Sequence, residues 1–120
     1  MGNEENQQLN GEEMNILRSA QNEPNLLLYF SANWCGACGT FKREVLDLLV
    51  AEGELKKRGI RLVEIDTDRH PNIVTACRVH DLPTVIFRKG DDHVDGFSGN
   101  RSYGEVRDCL REHYPLPGEG

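Results

Sequence analysis

The feature that most constrains this chain is a continuous apolar run, Leu26-Leu27-Leu28-Tyr29-Phe30, with Trp34-Cys35-Gly36-Ala37-Cys38 close behind it. Unbroken apolarity of strand length predicts a strand covered on both faces. Cys35 then stands where that strand hands over to a helix. A helix N-terminus has free backbone N–H groups and a positive partial charge. Both favour a thiolate over a thiol and lower a cysteine's pKa. Cys38 comes one turn later, near enough to close a small ring with Cys35. A Cys-x-x-Cys beside a β–α–β pattern is a redox signal.

Two other chemistries compete for the pair. A structural zinc site takes four ligands, either two such pairs or one pair with two closely spaced histidines. The remaining cysteines, Cys77 and Cys109, are far apart, and His70, His80, His93 and His113 lack a His-x3–5-His spacing. No metal is therefore expected, although a metallochaperone use of Cys35 and Cys38 stays open. A purely structural disulfide is disfavoured, because so short a loop gains little from cross-linking. Cys77 and Cys109 read as buried structural thiols on the apolar sides of their helices.

The rest of the chain sets the frame. Asn10 and Glu13 have the spacing of a capping box, opening a helix over 11–22 with Met14, Leu17 and either Ile16 or Ala20 on its apolar side. After Cys38, Phe41, Val45, Leu48 and Leu49 recur at helical spacing, with Leu55 beyond Gly53 and a stop at Gly59. Lys56, Lys57 and Arg58 read as a solvated helix end. Next come a strand over 60–66 and a short helix behind Pro71. Strands over 84–88 and 93–97, joined by a tight turn, must be antiparallel. Ser102 and Glu105 form a second capping box, whose helix runs to His113. The first two strands flank a crossover helix, which favours a parallel pair. The fold class is α/β: a mixed four-stranded sheet with helices on both faces.

A length of 120 residues suits one domain. It is read as a polar tail over 1–10, a domain over 11–114 and a C-terminal tail over 115–120. A net charge of −6 with no extended basic cluster disfavours nucleic acid as a partner. No stretch reaches the roughly 20 apolar residues that span a bilayer. The acidic N-terminus is unlike a secretory signal, so the expected location is cytoplasmic. A periplasmic or extracytoplasmic location is the alternative if a signal or anchor has been removed.

At this point a resemblance becomes specific. The run Tyr-Phe-Ser-Ala-Asn-Trp-Cys-Gly-Ala-Cys resembles the active-site stretch of the thioredoxin family. Asp81-Leu82-Pro83-Thr84 resembles that family's loop in which a cis proline faces the disulfide. The element order and the segment around Phe97–Val106 are also similar, so the resemblance covers about residues 12–114. It implies the thioredoxin fold and protein thiol–disulfide exchange. Cys35 would be the attacking thiolate and Cys38 the resolving thiol. Trp34, Gly36, Ala37, Leu82 and Pro83 would shape the substrate surface. No cofactor is implied, since the cysteines carry the electrons. Partners would be protein disulfide or dithiol substrates and an upstream reductase, with the chain itself a monomer.

The chain departs from the family pattern in several places. Ala37 replaces a proline between the cysteines, which opens the direction of exchange; reduction is the favoured direction, with a periplasmic oxidant or isomerase as an alternative. Gly39 replaces a lysine, and Arg43 replaces a helix-kinking proline, which predicts a straighter helix. Tyr29 replaces a buried aspartate, and Glu64 stands where its lysine partner is usual. Glu64 is therefore a candidate for a relocated carboxylate beneath Cys38, its pKa raised by desolvation; the plainer reading is that it points to solvent at a strand end. The family's first strand is expected to be absent. A reading from another class is an interaction module or redox sensor within a larger assembly.

Overall fold

A computed structural model describes residues 9–18 and 23–119. Most of the expected N-terminal tail, the end of the first expected helix and Gly120 lie outside the described residues. The elements are α1 (Gly11–Leu17), β1 (Asn25–Ser31), α2 (Gly36–Phe41), a π-helical turn (Lys42–Leu46), α3 (Asp47–Ala51), a 3₁₀ turn (Lys56–Arg58), β2 (Ile60–Asp66), α4 (Pro71–Ala76), β3 (Thr84–Lys89), β4 (Asp92–Ser98) and α5 (Tyr103–His113). Among the described residues there are four strands, in the order β2-β1-β3-β4. β1 pairs parallel with β2 and antiparallel with β3, and β3 pairs antiparallel with β4.

Strand β1 is unbroken in its apolarity because it sits at the centre and feeds two cores. Leu27 and Tyr29 face Phe41, Val45, Leu49, Val106 and Leu110. Leu26, Leu28 and Phe30 face Val63, Ile65, Ile73 and Ile86 on the opposite side. Burying each such side chain contributes roughly 1.5–3 kcal/mol. Both expected capping boxes are formed, at Asn10–Glu13 and Ser102–Glu105. Gly59 closes the 3₁₀ turn at φ +68°, where a side chain would be strained. Gly96 is set by a close approach: a Cβ there would stand 2.9 Å from the Val85 carbonyl oxygen.

Several expectations are corrected. The helix after Cys38 is not one regular α-helix: the π-helical turn interrupts it around Arg43. The wider turn accommodates an extra residue and rotates the downstream helix by about 100°. Leu48 is therefore 41% exposed while Leu46 is fully buried. In α1 the inward residue is Glu13 rather than Met14, which is exposed.

Arg58 is not a solvated helix end. Its side chain is fully buried and bonds the Tyr114 carbonyl at 2.9 Å, Glu54 at 3.1 Å and Glu119 at 2.7 Å. The C-terminal segment is correspondingly not loose: Glu119 also accepts from the Leu116 N–H at 3.0 Å. Leu9 packs against the second core, and Asn10 caps α1, so both belong to the folded part.

Candidate active site

β1 ends at Ser31, and the chain turns through Ala32 and Trp34 into α2. Cys35 is the N-cap of α2, and its Sγ accepts the Cys38 N–H at 3.2 Å. Cys35 and Cys38 are joined as a disulfide, with their Cα atoms 5.3 Å apart. Cys38 is buried and Cys35 half-buried, so only the first sulfur-bearing residue is open to an incoming molecule. On reduction, a Cys35 thiolate would keep an N–H donor and the helix N-terminal charge, both of which favour the ionised form.

The expected substrate surface surrounds this corner. Trp34 is 69% exposed, and its indole Nε1–H donates to Asp68 Oδ2 at 3.0 Å. That bond ties the tryptophan to the loop after β2. Gly36 and Ala37 are exposed. The Leu82–Pro83 peptide is cis, Pro83 is buried and Leu82 half-buried. The Pro83 carbonyl accepts the Gly99 N–H at 2.8 Å, and Thr84 Oγ1 lies 2.9 Å from Ser98 Oγ. These two bonds brace the proline loop against the end of β4.

Glu64 points to solvent, the plainer of its two readings. It stands in register with Tyr29 on the neighbouring strand, but its side chain is 49% exposed and its Oε1 lies 3.1 Å from Lys42 Nζ. Among the described residues no strand covers the outer edge of β2, and the carboxylate is solvated rather than buried. Hydrogen bonding to Glu64 raises the Lys42 ammonium pKa above its ordinary value.

From the sequence, Tyr29 is no more than a strand aromatic. In the structure it is buried, and its hydroxyl donates to the Cys38 carbonyl at 2.6 Å. Burial raises its pKa, so the phenol remains a donor. The sequence signal was available: a polar-tipped aromatic at the position where the resembling family has a buried carboxylate. Asp68, Gly99 and Lys42 were also missed, since each meets the site through a contact remote in sequence.

Cys77 and Cys109 are free and only half-buried. Burial raises both thiol pKa values, so neither has the character of a reactive thiolate. His113 is no loose surface residue: its Nε2 lies 2.9 Å from Asp95 Oδ2, linking α5 to β4. Among the described residues, no group of His, Cys, Asp and Glu could hold a metal, and no helix is long and apolar enough to cross a membrane.

A family model described as Thioredoxin matches residues 8–112. Thioredoxin of Gallus gallus is 34% identical over 80 residues, covering 67% of this chain and 71% of that protein. Thioredoxin Y1, chloroplastic, of Arabidopsis thaliana is 34% identical over 77 residues, covering 64% of this chain but 42% of that protein. The chain thus spans less than two thirds of the length of some relatives that it matches. The crystal structure of thioredoxin from Trypanosoma brucei brucei superposes with a TM-score of 0.70 at 26% identity, covering 86% of this chain and 84% of that one.

Proposed function

The chain belongs to the thioredoxin family, and from that premise we propose that it acts as a thiol–disulfide oxidoreductase on protein substrates, in the reducing direction. The observation that carries this reading is the Cys35–Cys38 disulfide at the start of α2, with the Cys38 N–H on Cys35 Sγ.

In the reduced protein, the Cys35 thiolate attacks one sulfur of a substrate disulfide. A Cys35–substrate bond forms, the substrate S–S bond breaks, and one substrate sulfur leaves as thiolate. Cys38 then loses its proton and attacks Cys35 Sγ. The intramolecular disulfide forms, and the second substrate sulfur leaves. Two electrons pass from the dithiol to the substrate. An upstream dithiol reductase must return them before the next cycle.

Glu64 is assigned the proton of Cys38, transferred through solvent, because it neighbours Tyr29 in the sheet register and is open to water. Trp34, Gly36, Ala37, Leu82 and Pro83 form the surface against which an extended substrate segment docks. The Leu82 backbone is suited to pairing with that segment as an added strand. The protein works as a monomer. The assigned compartment is the cytoplasm, in keeping with reduction as the favoured direction.

The test is a redox titration of Cys35–Cys38 read by Trp34, the only tryptophan of the chain, in a Cys77→Ser, Cys109→Ser background. A two-electron transition near about −270 mV supports a reductant. A value near about −120 to −180 mV reverses the direction to oxidant or isomerase and moves the protein out of the cytoplasm. No transition at all would leave a binding module in its place. For Glu64, Glu64→Gln should slow turnover with the fold intact; an unchanged pH–rate profile removes the residue from the mechanism.

A further inference from the structure

The Cys38 carbonyl is contacted from two directions. The Lys42 N–H reaches it, shared with the Gly39 carbonyl, and the Tyr29 hydroxyl reaches it from β1. Immediately beyond, the helical ladder widens into the π-helical turn Lys42–Leu46. The Tyr29 ring is seated against Phe41 with centroids 6.0 Å apart. The phenol thus bridges the central strand and the turn that carries both cysteines.

We propose that Tyr29 is a positioning residue for the redox pair: its hydroxyl ties the Cys38 carbonyl to the sheet and so keeps the Cys38 N–H on Cys35 Sγ. This rests on the reading of Cys35 as the attacking thiolate. The contact is short, buried and remote in sequence, so it fixes where the first turn of α2 lies relative to β1. Without it, the carbonyl keeps only a shared donor, and that turn is free to tilt. The N–H is the thiolate's donor, so a tilt appears as a weaker acid at Cys35. Three charged groups face the tyrosine: Glu64 from β2, Lys42 from the π-helical turn and Asp47 from α3. They are occupied with one another, Lys42 Nζ lying 3.1 Å from Glu64 and 3.5 Å from Asp47. Asp68, on the loop after β2, is held by Trp34. Arg43, on the outer side of the helix, reaches Thr40 Oγ1 at 3.5 Å. None of these replaces the phenol on the Cys38 carbonyl.

Tyr29→Phe keeps the ring against Phe41 and removes only the hydroxyl. The experiment tracks alkylation of Cys35 against pH in the reduced protein, in the Cys77→Ser, Cys109→Ser background. The expected result is a midpoint higher by roughly half a pH unit, or about threefold less thiolate near neutrality, the worth of one hydrogen bond. Disulfide reduction should slow at neutral pH and recover at alkaline pH. Glu64→Gln should leave the midpoint in place. Tyr29→Phe that lowers only the melting temperature, with an unmoved midpoint, overturns the proposal, as does an equal shift in Glu64→Gln. Should Tyr29→Phe not fold, proton NMR of the unsubstituted reduced protein decides. A slowly exchanging Tyr29 hydroxyl proton supports the tie, and its absence overturns it. A wild-type protein that reduces no disulfide at all removes the oxidoreductase reading instead, and the proposal with it.

Discussion

The two ends of β1 handle polarity in opposite ways. At its amino end, the fully buried guanidinium of Arg58 is gripped by Glu54, Glu119 and the Tyr114 carbonyl, and Asn25 reaches the Arg58 carbonyl at 3.5 Å. Helix, strand and C-terminal segment converge there on one charge. At its carboxyl end, the disulfide is held by a neutral phenol and a single N–H, and the nearby charges stay at the surface. A buried ion is tolerable where its partners never change. Near a sulfur that alternates between disulfide and thiolate, a fixed buried charge would bias one state. The molecule thus separates the pole that holds it together from the pole that reacts.

Substitutions should keep the poles apart. The largest effect is expected from Cys35→Ser, which should lower disulfide reduction on the order of a thousandfold or more, since nothing else supplies the nucleophile. Its urea midpoint should barely move relative to the reduced wild type. Cys38→Ser should instead accumulate a mixed disulfide with substrate, visible by mass spectrometry. Next, Arg58→Ala removes the buried cation that joins Glu54, Glu119 and the Tyr114 carbonyl, leaving the two glutamates only the more exposed Lys57 and Arg111, and should cost about 3 kcal/mol of unfolding free energy. Its redox potential should match the wild type; a shifted potential would show that the poles communicate.

The third effect is pH-dependent. Hydrogen bonding to Arg58 lowers the Glu119 pKa from 4.5 to about 2. Its contribution is therefore complete above about pH 5 and is lost as pH falls toward 2. Urea midpoints should decline over that window, and Glu119→Gln should flatten part of the decline. An undiminished slope in the variant would dismiss Glu119 as its source. The smallest effect belongs to the reactive pole. Asp68→Asn weakens an exposed hydrogen bond to Trp34 and should alter kcat/KM by at most about threefold. It should leave the urea midpoint unchanged while perturbing Trp34 fluorescence.

Much of this was legible in the residues. Strand β1, the cysteine pair at a helix start, both capping boxes, the stop at Gly59 and the tight β3–β4 turn were all readable. Each depends on local periodicity or on a backbone angle that one residue type prefers. The site was legible as far as its motif extended: Cys35, Cys38, Trp34 and the Leu82–Pro83 loop. Glu64 shows where that reading weakened, because its burial depends on whether another strand covers β2. Leu48 shows the same for periodicity, which cannot register one extra residue in a turn.

The residues alone were enough to specify a first strand buried on both faces, its parallel pairing with the next strand, the antiparallel pairing of the last two strands, and a dithiol pair at a helix N-terminus. Tertiary packing was needed to set the rest: Tyr29 bonds a carbonyl nine residues away, a π-helical turn redirects the helix behind it, and Arg58 is enclosed by a glutamate 61 residues further on. The physical reason is common to all three. A residue's own conformational preference acts within a turn or two of the chain, whereas the cost of burying a hydroxyl or a charge is set by whichever distant groups close over it.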